Sequence, residues 1–163
     1  MSEVLCDTDI LSALAKADSL HLLSIAFPGR EFLISDHVRN ELQKSVEAGF
    51  DFPEKIFELC GTTTVKEQEP KEPEELNTSG LSRTDVRNIT LAGERSLPLA
   101  TNDSLLYRRA KERGVEVYDL RQILKAVYET RKLSREEISE ILNRIETENN
   151  TIIKNKKEIF SSE

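Results

Sequence analysis

Apolar residues fall in two alternating rhythms along this chain. Val4-Leu5-Cys6 and Phe32-Leu33-Ile34 are short continuous apolar runs, which predict buried strands. After the first run, Ile10, Leu11, Leu14 and Ala17 recur at helical spacing. A shorter helix is expected from about Leu20 to Phe27, broken by Pro28-Gly29. After the second run, Ser35 is placed to cap a helix reaching about Val46, with Val38, Leu42 and Val46 as its buried stripe. Pro53 opens a further helix carrying Ile56, Phe57 and Leu59. The β-rich Thr62 to Val65 predicts a third strand. Lys66 to Gly80 is polar, holds two prolines and has no apolar period, so an exposed loop is expected there.

The same rhythm continues in the second half. Ser82 caps a helix carrying Val86, Ile89 and Gly93, and Leu97 to Thr101 predicts a strand. Asp103 opens a helix with Leu106 and Ala110, ended by Gly114. Val115-Glu116-Val117 alternates as an edge strand, and Asp119 opens a helix to about Thr130. A capping box over Ser134 to Glu137 starts a helix to about Asn149. Its Ile138, Ile141, Leu142 and Ile145 must bury, either within the chain or against a second copy in a homodimer. Thr151 to Glu163 reads as a helix or a frayed tail. Strands alternating with helices predict an α/β fold: a parallel sheet with helices on both faces, doubly wound, the first strand central.

Composition sharpens this picture modestly. A length of 163 residues suits one domain with a real core. No apolar run approaches the ~20 residues of a membrane span, so no membrane association is expected. No secretion signal is evident, and Cys6 and Cys60 are isolated thiols, which together suggest the cytoplasm. The net charge of −7 argues weakly against nucleic acid, yet its distribution is uneven. Lys66 to Leu76 holds five Glu against two Lys, whereas Leu105 to Arg135 holds nine Lys/Arg against four Asp/Glu. An acidic chain can thus carry a basic face; the same charges also suit solvated helix surfaces.

Candidate chemistry rests on four carboxylates. Asp7 closes the first apolar run and Asp103 follows the fourth, and residues past the carboxyl ends of strands face the ligand crevice of an α/β sheet. Glu41 and Asp85 fall at the edges of their helices' apolar stripes, where a side chain can look toward that crevice. Converging oxygen ligands without a Cys/His cluster suit Mg2+ or Mn2+ and point to metal-assisted phosphodiester chemistry. Each acid also has a plainer explanation. Asp7 and Asp103 can be N-caps, and Asp85 can be the acidic member of a capping box with Ser82. His21 and His37 are not spaced as metal ligands and read as surface or cap residues.

Four stretches together resemble the PIN domain, a metal-dependent ribonuclease fold. Val4 to Leu11 is similar to its opening strand and Ser35 to Leu42 to its second motif. Leu81 to Ala92 and Leu99 to Leu106 are similar to its third and fourth. The resemblance covers residues 1 to about 130. It implies a three-layer α/β/α sandwich whose five-stranded parallel sheet has the order 3-2-1-4-5. It implies a nuclease domain over residues 1–133, with 134–163 as a helical extension of the same domain. It also implies RNA cleavage with Mg2+ or Mn2+, in a toxin type with an antitoxin partner or in ribosome maturation. Asp7 and Asp103 would be direct ligands, with Glu41 and Asp85 completing the catalytic site. Thr8 and Thr101 would orient water or phosphate, and Arg108 and Arg109 would hold the RNA backbone. No aromatic platform for base stacking stands out. Asp9 departs from the Ser of many members. A non-catalytic PIN-fold subunit is the main alternative. Asp7-x-Asp9 also resembles the first motif of haloacid-dehalogenase-type phosphatases, but their later Gly-Asp-x-x-x-Asp pattern is missing.

Overall fold

In a computed structural model, which describes residues 2–63 and 80–161, five parallel strands form one sheet. The strands are β1 (Glu3–Cys6), β2 (Glu31–Ser35), β3 (Cys60–Thr63), β4 (Leu99–Ala100) and β5 (Val117–Tyr118), in the order β3-β2-β1-β4-β5. The helices are α1 (Thr8–Lys16), α2 (His21–Ala26), α3 (Asp36–Glu47), α4 (Phe52–Leu59), α5 (Arg83–Arg95), α6 (Ser104–Glu112), α7 (Leu120–Glu129) and α8 (Arg135–Asn149). A short 3-10 helix covers Lys156–Phe160.

Alternation along the strands divides the core in two. Val4, Cys6, Phe32, Ile34 and Ala100 face one side, where α1 to α4, α7 and α8 cover the sheet. Leu5, Leu99 and Val117 face the other, covered by α5 and α6. Strands buried on both faces need continuous apolar runs, which is why these segments do not alternate with polar residues. Both thiols belong to the first core, and burial pushes Cys60 up to about 12 and raises Cys6 as well, as befits core side chains.

Four expectations shift. The third strand starts earlier, because α4 ends at Leu59 and Cys60 is already extended and paired with Phe32; Thr64 and Val65 lie outside the described residues. So does the expected loop from Lys66, except Gly80. The fourth strand is shorter. Pro98 lacks a donor but its carbonyl accepts the Leu5 N–H at 2.9 Å. The fifth moves to Val117–Tyr118, because the Val115 N–H closes the end of α6 onto the Ala110 carbonyl at 3.0 Å. There Gly114 turns the chain with φ +75, where any side chain would be strained. Gly93, placed on the α5 stripe, is exposed, while Leu91 and Ala92 are buried instead.

The α8 stripe is settled within the chain. Ile138, Ile141, Leu142 and Ile145 are all buried in the first core, against α1 among others. Truncating one of them leaves a cavity in that core. Ile138→Ala is therefore expected to cost about 2–5 kcal/mol in urea denaturation, with the slope of the transition unchanged. A loss under about 1 kcal/mol would show that α8 is not part of the core.

Candidate active site

The carboxyl edge of the sheet collects helix N-termini. Asp7, Ser35, Asp103 and Asp119 follow or end β1, β2, β4 and β5, and each side chain accepts a backbone N–H of the helix it opens. The partial positive charge of a helix start favours an anion there. The chain thus uses acids as caps where the sheet presents its crevice.

Asp7 sits at the centre. Its own N–H bonds the Ala100 carbonyl at 2.9 Å, so it is fixed between β1 and β4. Its Oδ1 accepts the Thr8 N–H at 2.8 Å and the Asn88 side-chain amide at 3.1 Å. Its Oδ2 accepts the Thr101 hydroxyl at 3.0 Å. Thr101 has the Asp9 Oδ1 3.3 Å away as a second acceptor, and its oxygen takes the Asp103 N–H at 3.1 Å. Asp9 also accepts the Asn102 N–H at 3.2 Å.

Glu41 reaches the same place from α3. The Thr8 hydroxyl donates to its Oε2 at 2.5 Å and the Thr84 hydroxyl to its Oε1 at 2.6 Å. Thr8 neighbours Asp7 and Thr84 neighbours Asp85, so Glu41 ties α1 to α5. Asp85 completes a capping box with Ser82, accepting its N–H at 3.3 Å. Asp103 caps α6 through the Leu106 N–H at 2.9 Å. The cap explanation holds for Asp7, Asp85 and Asp103, and the same three carboxylates stand at one edge.

Electrostatics register the crowding. Burial raises Asp7 well above the usual carboxylate range, and the charges of Asp9 and Asp85 raise it further. Burial likewise raises Asp9 and Asp85, and Asp103 adds repulsion to both. The charge of Asp9 and the contact between the two side chains raise Asp7, while the same contact lowers Asp9.

The structure brings Asp7, Glu41, Asp85, Asp103, Thr8 and Thr101 to one edge. It does not bring Arg108 and Arg109 there. At roughly 100° per residue they turn away from the face of Asp103, and Arg109 is paired with Glu112 at 3.1 Å. Sequence reasoning missed Asp9, Asn88 and Thr84 as parts of the site. It also missed the ion pair of buried Arg87 with Asp36, 3.3 Å, which joins α5 to the start of α3. No sequence signal marked them: Thr84, Arg87, Asn88 and Thr90 are four polar residues in a helix that the fold buries almost all round.

Among the described residues no three His, Cys, Asp or Glu side chains form a closed metal cluster. The donor set still fits a hard cation. It is all oxygen, it is short of positive charge, and the Oδ1 of Asn88 stays buried beside Asp7 without a hydrogen bond. Magnesium keeps several waters and ordinarily takes one or two carboxylates, so an open set suits it.

The shifts carry a pH signature. A carboxyl with a raised folded pKa binds its proton more tightly in the native state, so ionising it destabilises the fold. In metal-free buffer, Asp7→Asn should match wild type near pH 4 and become progressively more stable than it as pH rises through the folded pKa of Asp7. Asn keeps the cap and removes the charge. Denaturant midpoints across pH measure this; a constant difference would remove Asp7 from the repelling cluster.

Comparison with known proteins agrees with this architecture. No curated protein matches the chain. Solved structures similar to it include a PilT N-terminus domain protein from the archaeon Sulfolobus solfataricus P2, 15% identical, with a TM-score of 0.53, covering 82% of this chain and 97% of that one. VapBC-1 from nontypeable Haemophilus influenzae is 15% identical with a TM-score of 0.57, covering 72% and 97%. A domain of a functionally unknown protein from Methanocaldococcus jannaschii is 19% identical with a TM-score of 0.53, covering 74% and 91%. At these identities the likeness shows the fold. The family model for DUF3368, a PIN domain, matches residues 3–157, nearly the whole chain. With the sheet order, the matched span and the solved relatives in agreement, the chain belongs to the PIN-domain family.

Proposed function

We propose that this protein is a divalent-metal-dependent ribonuclease that hydrolyses phosphodiester bonds in RNA. What supports this most is one observation: Asp7, Asp9, Asp85 and Asp103 crowd at the sheet's carboxyl edge, where burial and neighbouring carboxylates raise Asp7, Asp9 and Asp85, and Glu41 is tied to them through Thr8 and Thr84. Such a cluster is poorly suited to stand without a cation. The family assignment leaves the phosphatase alternative without support.

Asp7 and Asp103 would hold Mg2+ or Mn2+, with Glu41 and Asp85 completing the set directly or through water. The bound cation would supply a water of lowered pKa and charge neutralisation at the phosphate. The remaining work belongs to the chain. Asn88 and Thr101 fix the rotamer of Asp7, Thr8 and Thr84 fix that of Glu41, and Asp9 holds the Thr101–Asn102 turn through two hydrogen bonds. Arg108, exposed on α6, would meet the RNA backbone, with Arg109 shared between phosphate and Glu112. A toxin role with an antitoxin partner accords with the likeness to VapBC-1; trimming of ribosomal precursors is the other role the family resemblance suggests. Either would place the protein in the cytoplasm.

Incubation with generic single-stranded RNA should give Mn2+-dependent cleavage. Asp103→Asn should reduce the rate by roughly 100-fold or more, the scale of losing one preorganised charge-stabilising group. Wild-type protein that binds Mn2+ but leaves RNA intact would instead support the non-catalytic PIN-fold subunit.

Binding should also be salt-sensitive, because phosphate contacts release counterions. With cleavage blocked by Asp103→Asn, RNA affinity should fall steeply between 50 and 200 mM salt. Arg108→Glu should weaken it for every sequence alike. Affinity indifferent to both would eliminate the basic face of α6 as the RNA track.

A further inference from the structure

Between the first turns of α6 and α7 and the segment after α8 lies a cleft of about 490 Å3. Asp103 forms part of one wall, continued by Asn102 and Tyr107; Ile152, Lys154 and Asn155 form the opposite one. We propose that this cleft seats the base of the nucleotide adjoining the scissile phosphate, with Tyr107 and Ile152 determining which base is accepted and Lys154 holding the neighbouring phosphate. This rests on the ribonuclease assignment above.

The chemistry of the lining fits a nucleobase, which has apolar faces and polar edges. Tyr107 comes four residues after Asp103 on α6 and so stands on the same helical face; its N–H bonds the Asp103 carbonyl at 2.9 Å. Its ring packs partly against the second core and has the Lys111 ammonium 5.5 Å from its centroid, and the remainder lines the cleft as the one aromatic side chain there among the described residues. Ile152 is 80% exposed, a branched apolar side chain left in water beside a polar cleft. The amides of Asn102 and Asn155 offer donors and acceptors to a base edge. Lys154 is exposed and makes no ion pair among the described residues, whereas Arg121, also in the lining, is held by Glu158 at 3.2 Å and Asp119 at 3.6 Å. Lys154 is therefore the cation available to a neighbouring phosphate.

The outer wall is built. The Glu146 carboxylate accepts the Ile153 N–H at 2.9 Å and the Lys156 ammonium at 2.7 Å. The Thr151 N–H bonds the Glu146 carbonyl at 3.1 Å, and Asn150 and Asn155 turn the chain with positive φ on either side. The segment is thus held across the cleft before any ligand arrives, which lowers the ordering cost of binding. The volume also falls within the ordinary range for a small-molecule subsite.

The test uses full-length protein carrying Asp7→Asn, to block cleavage, and labelled homotetranucleotides of A, C, G and U read by fluorescence anisotropy. The four should bind unequally. Tyr107→Leu, which keeps an apolar side chain for the core, and Ile152→Ser should each weaken the best binder by about tenfold and level the preference. Lys154→Glu should weaken all four, and more than Lys44→Glu, which makes the same charge change outside the cleft. Equal affinities, or variants within twofold of the parent, would overturn the proposal and leave the cleft as a seat for a protein partner. Wild-type cleavage is assayed in parallel. Should it be absent while the cleft variants still weaken binding, the ribonuclease assignment falls and the nucleotide subsite stands.

Discussion

Repulsion among carboxylates at one sheet edge is the constraint around which this molecule is arranged. Asp7 is 4% exposed and has Asp9 and Asp85 close enough to raise its proton affinity. A buried acid in such company destabilises the fold unless donors surround it. The chain supplies them from three separate elements. Thr8 donates from α1, Asn88 from α5 and Thr101 from the end of β4. Removing any one donor would leave the charge less well held, which makes these polar residues as structural as the apolar core beneath them.

The sheet order makes the crowding possible. Because β1 lies between β2 and β4, the residues just beyond β1 and β4 meet, and Asp7 and Thr101 become neighbours despite 94 residues of separation. Helix N-termini then converge on the same edge, and their unpaired N–H groups are met by the acids themselves. One set of side chains serves two needs. As caps, Asp7 and Asp103 fix where α1 and α6 begin; as carboxylates, they keep a second oxygen directed away from the helix backbone. Asp85 divides its role in the same way between Ser82 and the neighbouring acids.

Local patterning made much of the fold legible. Caps at Ser35, Ser82, Asp103, Asp119 and Ser134 and the apolar runs between them mark element starts within a few residues, because both signals act over one or two turns. The four acids were visible for a related reason: each stands at a strand end or on the margin of an apolar stripe. What holds them was not visible. Glu41 meets Thr8 and Thr84 across 33 and 43 residues, and Asn88 meets Asp7 across 81. No periodicity encodes such pairs. The assumption of an ordinary amphipathic stripe also hid α5, which is buried almost all round and so places polar side chains inward as well as apolar ones.

The region after α7 shows how packing and site become coupled. The stripe of α8 is buried in the core shared with α1, and α1 begins at Asp7. Asn149, at the end of α8, reinforces this by donating to the Ala13 carbonyl of α1 at 3.0 Å. The chain leaving α8 is then pinned by Glu146 across from Asp103. Loosening α8 would therefore act on the acidic edge by two routes, through the seat of α1 and through the wall of the cleft. A segment that looks like an appendage in sequence is mechanically continuous with the acidic residues at the sheet edge.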